Sequence, residues 1–126
     1  MAYLGQTFIT RKSPGVLPHL WMVLSDPAKN VRVVLANLSS APCPSGERCV
    51  IKRGEHSFVS HDSYVRFRLV RVEEREQLDK VLAGGMLKPS DALSPAVLKR
   101  VQEAVGRSRV VPTEAQAILR AQGFVA

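Results

Sequence analysis

Two apolar runs joined by a short polar segment restrict the fold of this chain more than any other feature. Residues 20–24 and 31–38 are rich in β-branched side chains, and the segment between them reads Ser-Asp-Pro-Ala-Lys-Asn. Runs of this length, bounded by turn residues, predict a β-hairpin. Because neither run alternates with polar residues, both faces of the surrounding sheet are expected to be covered.

The pattern around this hairpin predicts strands in the first part of the chain and helices in the last. Further strands are expected at residues 5–10, 49–51, 56–59 and 63–72. In the last of these, alternation with apolar residues puts Arg66 and Arg68 side by side on one face. Helices are expected at residues 73–84, at 95–106 after the N-cap Ser94, and after Thr113, which forms a capping-box pattern with Gln116. This order favours an α+β domain with the helices packed to one side.

Length and composition are those of a single domain. The chain has 126 residues, of which 45% are hydrophobic, so we expect one core, with residues 1–72 mainly β and residues 73–126 helical with a C-terminal extension. The first ten residues lack a charged leader and no apolar run is long enough for a membrane span, so the expected location is the cytoplasm. Cys43 and Cys49 fit free thiols in that compartment better than a disulfide framework.

The positive charge is concentrated in the first part of the chain. The formal net charge is +7; residues 1–72 contain ten Lys and Arg against four Asp and Glu, whereas residues 73–126 contain eight against seven. A basic sheet suits a polyanion partner, because each neutralised phosphate releases counterions and adds salt-sensitive affinity. A basic surface kept only for solubility fits the charge equally well.

The chain contains, in order, a first strand that begins at Gly5, a basic loop, a hairpin that ends in Ser39-Ser40, a strand with Val65-Arg66, and closing segments at 85–87 and 93–105. This order resembles the PemK/MazF toxin family over residues 5–105. The resemblance implies a small SH3-like β-barrel with C-terminal helices packed to one side, a homodimer, and a cognate antitoxin protein. It also implies a metal-independent endoribonuclease that acts on RNA and uses no cofactor.

Three positions of the family's site can be followed into this sequence. Where the family usually has Arg-Pro at the head of its second strand, this chain has His19-Leu20, so the cation there becomes titratable. The family's paired hydroxyls match Ser39-Ser40. Its later Arg-x-Asp appears as Arg66-Phe67-Arg68, which keeps the arginine and loses a carboxylate that some members use as acid and base.

Cleavage of RNA through the 2′-hydroxyl requires a base, an acid and a group that stabilises the phosphorane charge. We predict His19 as base or acid, Arg66 as the stabilising cation, and Ser39 or Ser40 as a donor to phosphate. His56 and His61 are alternative proton-transfer groups, and Trp21 and Tyr64 are able to stack a base, although Trp21 also fits core or dimer packing. Further RNA contacts are predicted at Arg11, Lys12, Lys52, Arg53, His56, His61 and Arg68.

Other functions remain open on the sequence alone. Cys43, Cys49, His56 and His61 read C-x5-C-x6-H-x4-H, but the first spacing is too long and the middle gap too short for a usual zinc site, so no metal is predicted. The missing Asp favours a non-catalytic barrel that binds nucleic acid or protein. A further possibility is a toxin of the same fold that poisons a protein target such as gyrase. Each predicted site residue also fits an ordinary structural role, such as a turn hydroxyl or a surface ion pair.

Overall fold

The computed structural model describes residues 1–10, 18–41 and 46–126. Within these ranges the chain is α+β: seven strands form one antiparallel sheet, and three α-helices accompany it. The strands are β1 (Thr7–Thr10), β2 (Leu20–Val23), β3 (Arg32–Ser39), β4 (Val50–Ile51), β5 (Ser63–Val65), β6 (Arg71–Glu74) and β7 (Leu87–Ser90). The helices are α1 (Arg75–Ala83), α2 (Pro95–Arg107) and α3 (Thr113–Ala121), and a 3₁₀ turn spans Phe67–Leu69. None of the helices in the described ranges is long and apolar enough to cross a bilayer.

The predicted hairpin is confirmed and lies at the centre of the sheet. β2 and β3 pair antiparallel, with Trp21 opposite Asn37 and Val23 opposite Leu35. The strand order is β4-β5-β3-β2-β1-β7, and β6 lies beside the first half of β3. In the described part of the chain β4 and β7 are the two ends of this order, so the sheet is open and the closure of an SH3-like barrel is not seen there.

Both faces of the hairpin are buried, as its unbroken apolar runs predict. On one face, alternate residues of β2 and β3 form the larger core together with α2 and α3; these are Leu20, Met22, Val34, Ala36 and Leu38. On the other face, Val33 and Leu35 pack in a second cluster with Leu78 of α1. Because α1 leaves the His19 and Ser39 end of this second face only half-buried, that end remains accessible.

The C-terminal helices complete the larger core. The buried residues of α2 include Val97, Val101 and Val105, and those of α3 are Ala115, Ile118 and Leu119. Just after α3, the Gln122 side chain donates to the Asp26 carbonyl (3.2 Å) and accepts from the Asp26 N–H (2.7 Å). Residues 109–126 are therefore part of the folded core, a role that the sequence alone leaves open.

The predicted helix boundaries are partly right. Ser94 caps α2 as expected, because its Oγ accepts the Val97 N–H at 3.3 Å. The capping box before α3 is wrong: Pro112 occupies the N-cap, and the Gln116 amide donates instead to backbone carbonyls at residues 105, 106 and 108. α1 begins at Arg75, because the two residues before it pair with β3 instead of starting a helix.

The predicted single strand over residues 63–72 is wrong. A 3₁₀ turn divides it, where the Leu69 N–H bonds to the Arg66 carbonyl at 3.0 Å. The turn lets β5 pair with the end of β3 and β6 pair with its start. As a result Arg66 and Arg68 do not lie side by side, since Arg66 is half-buried directly after β5 and Arg68 is exposed on the turn.

One other strand prediction fails, and one strand is not predicted at all. Residues 56–59 form bends and turns instead of a strand. β7 is an additional strand, and its sequence Leu-Lys-Pro-Ser carries no strand pattern. It pairs with β1 as an edge strand of the described sheet, a position that tolerates Pro89.

Candidate nucleic-acid interface

Four polar side chains form a row across the accessible end of the second face. Ser39 of β3 lies opposite Tyr64 of β5, and the β2–β3 register, continued by two residues, puts His19 on the other side of Ser39. Thr10 ends the row, because its Oγ1 accepts the His19 N–H at 3.0 Å and its own N–H bonds to the His19 carbonyl. Directly opposed residues of antiparallel strands share a face. We call these four half-buried residues the polar row.

A second row lies one pleat away on the same face. It consists of Phe8, Trp21, Asn37 and Arg66, which oppose one another across β1, β2, β3 and the end of β5. The Arg66 N–H donates to the Asn37 carbonyl at 2.9 Å, which fixes the arginine backbone beside the last part of β3. Residues two apart on a strand are separated by about 7 Å, so Arg66 borders the polar row. The fold thus brings His19, Ser39 and Arg66 to one surface.

His19 is held in one tautomer by the backbone of β3. Its Nδ1 lies 3.3 Å from the Leu38 carbonyl oxygen, and because a carbonyl can only accept, Nδ1 carries the proton. In the neutral ring Nε2 is then an acceptor, and the described residues provide no partner for it. The ring is oriented by the protein and keeps one nitrogen able to take a proton from a ligand.

The two serines differ in their positions. Ser39 belongs to the polar row, and its Oγ accepts the Ala41 N–H at 3.2 Å, a local turn contact that leaves the hydroxyl proton available to donate. Ser40 is exposed just beyond β3. Because successive side chains of a strand alternate between the two faces, Ser40 does not continue the polar row. The geometry therefore favours Ser39 over Ser40 as a donor to phosphate.

Arg66 has no ion-pair partner within the described ranges. Two carboxylates of the basic part of the chain are held elsewhere: Glu55 pairs with Arg100 at 2.7 Å, and Glu47 accepts from Ser108 Oγ at 2.6 Å. Hydrogen bonds from these partners lower the pKa of both Glu55 and Glu47, so both carboxylates stay ionised where they are. The charge of Arg66 consequently remains available to an anionic ligand.

His56 lies outside this face and has a structural role. It is 6% exposed, its Nε2 donates to the Asp91 carbonyl at 2.6 Å, and its Nδ1 accepts the Phe58 N–H at 3.0 Å. Nε2 also lies 3.2 Å from Thr7 Oγ1. Because the protein itself occupies both ring nitrogens, we leave His56 out of the site, although the sequence suggests it as an RNA contact or proton-transfer group.

The other predicted RNA contacts are exposed or lie outside the described residues. Arg11 and Lys12 lie outside the described residues. Exposed side chains in the connection from β4 to β5 include Lys52, Arg53 and His61. This connection begins after the Ile51–Ser63 pair. The connection packs on the α2 side of the sheet, where Glu55 pairs with Arg100 and Val59 joins the larger core, and Arg68 lies on the 3₁₀ turn.

The four cysteines and histidines weighed above as zinc ligands do not come together in the described part of the chain. Cys43 lies outside it, Cys49 is a buried free cysteine, and burial raises the pKa of the Cys49 thiol. His56 has no free nitrogen, as described above. Among the described residues no group of three His, Cys, Asp or Glu side chains is arranged to hold a metal ion.

Asn37 is a residue of this face that the sequence analysis misses. It is 3% exposed near the end of β3, and its Oδ1 has no hydrogen-bond partner within the described ranges. Leaving a buried acceptor unpaired costs about 1–3 kcal/mol, so an amide here is not explained by stability. The sequence contains one feature that could have indicated Asn37, because it is a polar residue inside an otherwise apolar run.

Comparison with models of known protein families gives no match, and none of the curated proteins matches the chain either. The similarity to PemK/MazF toxins therefore rests on the order and spacing of the residues in the sequence. Any assignment of function depends on the chemistry of the face itself.

Proposed function

We propose that this chain is a toxin-like, metal-independent endoribonuclease that cleaves single-stranded RNA on the face formed by the polar row and Arg66. The observation that carries the proposal is that His19, Ser39 and Arg66 share one accessible end of the sheet. An imidazole, a hydroxyl and a guanidinium are groups that cleavage through the 2′-hydroxyl can use. The net charge of +7 favours a polyanionic substrate.

The reaction is an exchange of bonds at phosphorus within the RNA. His19 Nε2 takes the proton of the 2′-hydroxyl, whose oxygen bonds to phosphorus while the bond to the 5′-oxygen breaks. The leaving 5′-oxygen takes a proton from water, and the hydroxide that remains takes the proton from His19, so the products are a 2′,3′-cyclic phosphate and a 5′-hydroxyl and the imidazole is neutral again. Arg66 donates paired hydrogen bonds to the charged phosphorane, and Ser39 donates to a phosphate oxygen.

The proposal includes the assembly that the family resemblance implies. The open sheet is then a variant of the SH3-like barrel, two copies of the chain form a homodimer, and a cognate antitoxin neutralises the toxin in the cytoplasm. The residues that support this part are those matched to the family, Ser39-Ser40 and Arg66.

One observation favours a non-catalytic role for the same face. Arg68 stands where some family members have an acidic residue, and His19 is the one imidazole in the two rows described above. A surface with a single proton-transfer group and an arginine is suited to hold RNA without cutting it. The same surface also suits a protein target, such as gyrase for a related toxin.

Incubation of an end-labelled single-stranded RNA with the protein in EDTA tests the proposal. We expect products that end in a 2′,3′-cyclic phosphate. His19→Ala and Arg66→Ala should each lower the cleavage rate by about 10²- to 10⁴-fold, because each removes a group that acts on the transition state. Arg107→Ala is the matched control for loss of charge, since Arg107 is exposed at the end of α2, on the opposite side of the sheet.

Two results would contradict the nuclease proposal. Salt-dependent retention of intact RNA, with no product under any condition, would favour the non-catalytic role. Inhibition of supercoiling without retention of RNA would favour a protein target.

The two arginine variants test the role of Arg66 separately. Equal losses of rate in Arg66→Ala and Arg107→Ala would show that charge alone matters, and would remove the specific role of Arg66.

A further inference from the structure

An apolar pocket lies beside the polar row, between the sheet and α1. Its volume is about 330 Å³. The walls are aromatic and aliphatic: Phe8, Trp21 and Leu35 from the sheet, Leu78 and Val81 from α1, and Leu87 from β7. α1 covers this part of the second face and leaves a space between the helix and the sheet.

The pocket and the polar row share a wall. Thr10 lines the pocket, and its Oγ1 also accepts the His19 N–H at 3.0 Å. Trp21 follows His19 by two residues on the same face of β2, a separation of about 7 Å. A ligand that contacts the His19 ring can therefore reach the indole ring without crossing another strand.

The charges of the two neighbouring surfaces are different. At the pocket, Arg71 is paired with Glu73, so the rim carries no net charge from these two residues. Next to the polar row, Arg66 has no ion-pair partner within the described ranges. A neutral aromatic pocket beside an unpaired cation is complementary to a nucleotide, whose base is neutral and whose phosphate is anionic.

We propose that this pocket receives one unpaired nucleobase of the bound RNA, stacked on the indole of Trp21, while the adjoining phosphate lies at His19 and Arg66. The inference rests on the proposed function and adds a subsite to it. Stacking on an aromatic ring is tolerant of base identity, so the pocket fixes the position of the strand more than its sequence. The phosphate next to the stacked base is then the one presented to His19.

Trp21 provides the readout, because it is the only tryptophan of the chain. The probe is a short 2′-O-methylated RNA, which cannot be cleaved, carrying a dye whose anisotropy reports binding independently. We expect Trp21 fluorescence to change along the same curve as the anisotropy. An abasic substitution at one position of the RNA should abolish the fluorescence change and weaken binding by about 5- to 100-fold, the effect expected for one stacked base.

Two variants on α1 provide a matched pair. Val81→Phe fills the pocket from its α1 wall, whereas Ala83→Phe adds the same ring at an exposed position at the end of the helix. We expect Val81→Phe to weaken RNA binding to the same extent as the abasic substitution, and Ala83→Phe to leave it unchanged. Circular dichroism and the melting temperature report whether each variant folds. The abasic experiment uses the unchanged protein, so its result stands even if a variant does not fold.

The outcomes separate this inference from the proposed function. RNA that binds and is cleaved in its unmethylated form, with no change in Trp21 fluorescence and no sensitive abasic position, would overturn the base pocket and leave the nuclease proposal standing. An absence of RNA binding in every assay would overturn both. A fluorescence change with an apolar peptide and none with RNA would show that the pocket docks protein, and would also overturn the inference.

Discussion

His19 and His56 have the same side chain in different surroundings. His19 uses one ring nitrogen to contact the backbone of β3 and keeps the other available at an accessible surface. His56 is buried, and its two nitrogens bind the backbone at Asp91 and Phe58. The first arrangement suits proton transfer to a ligand, whereas the second ties the connection between β4 and β5 to the residue that follows β7.

Replacement of His56 by alanine should therefore destabilise the fold. The change removes the donor to the Asp91 carbonyl and the acceptor of the Phe58 N–H, and it leaves a space where a buried ring was, so we expect the free energy of unfolding to fall by about 2–4 kcal/mol. Urea unfolding at neutral pH measures this. His61→Ala is the control, because His61 is exposed in the same connection, and it should change stability by less than about 0.5 kcal/mol. Similar losses in the two variants would contradict the structural role of His56.

At the scale of single residues, the sequence shows which chemical groups are present, but it predicts their burial and their hydrogen-bond partners less well. His19 and Ser39 are placed correctly at one surface because both flank strands of a hairpin whose register follows from its two apolar runs. Nothing in the residue type distinguishes His56 from His19, since burial of His56 depends on contacts with Thr7 and Asp91, which are distant in sequence. Asn37 is missed because an isolated polar residue in a strand does not reveal whether its amide is paired.

Among the elements, the segment from β5 to β6 shows how a local pattern can mislead. Alternation of polar and apolar residues predicts one strand in which Leu69 shares the apolar face with Val65 and Phe67. In the structure Phe67 and Val70 are buried while Leu69 is 42% exposed. A spacing of three residues is the repeat of a 3₁₀ turn, and this short repeat is hidden inside a run that also has a period of two.

Elements determined by neighbouring residues are the ones predicted well. The central hairpin has its own turn residues, and α2 has a serine cap, a first-turn proline and a clear apolar stripe. β7 depends instead on backbone pairing with β1, so its own side chains contain little information about it. The open or closed state of the sheet depends on its end strands, and it could not be predicted for the same reason.

The contribution of α3 to the core can be tested with two adjacent residues. Leu119 is fully buried against the larger core, whereas its neighbour Arg120 is exposed. Leu119→Ala should lower the free energy of unfolding by about 2–5 kcal/mol, because it leaves a cavity at the contact between α3 and the sheet. Arg120→Ala should change it by less than about 0.5 kcal/mol. Chemical denaturation that gives a small effect for both would indicate that α3 is not part of the cooperative core.

In the whole molecule, the two faces of the sheet have different surroundings. One face is covered by α2 and α3 and forms the larger core. The other is covered by α1 over part of its length, with a pocket beneath the helix and the polar row beyond it. We therefore expect single-stranded RNA to lie across the accessible end of this second face, where His19, Ser39 and Arg66 meet.

Nuclear magnetic resonance can follow the imidazole signals of the three histidines while an uncleavable single-stranded RNA is added. If RNA lies across the polar row, the His19 signal should shift and saturate with RNA binding, because His19 belongs to that row. The His56 signal should stay unchanged, since that ring is buried and both of its nitrogens are bound within the protein. Binding of RNA with no shift at His19 would show that RNA does not lie on this face.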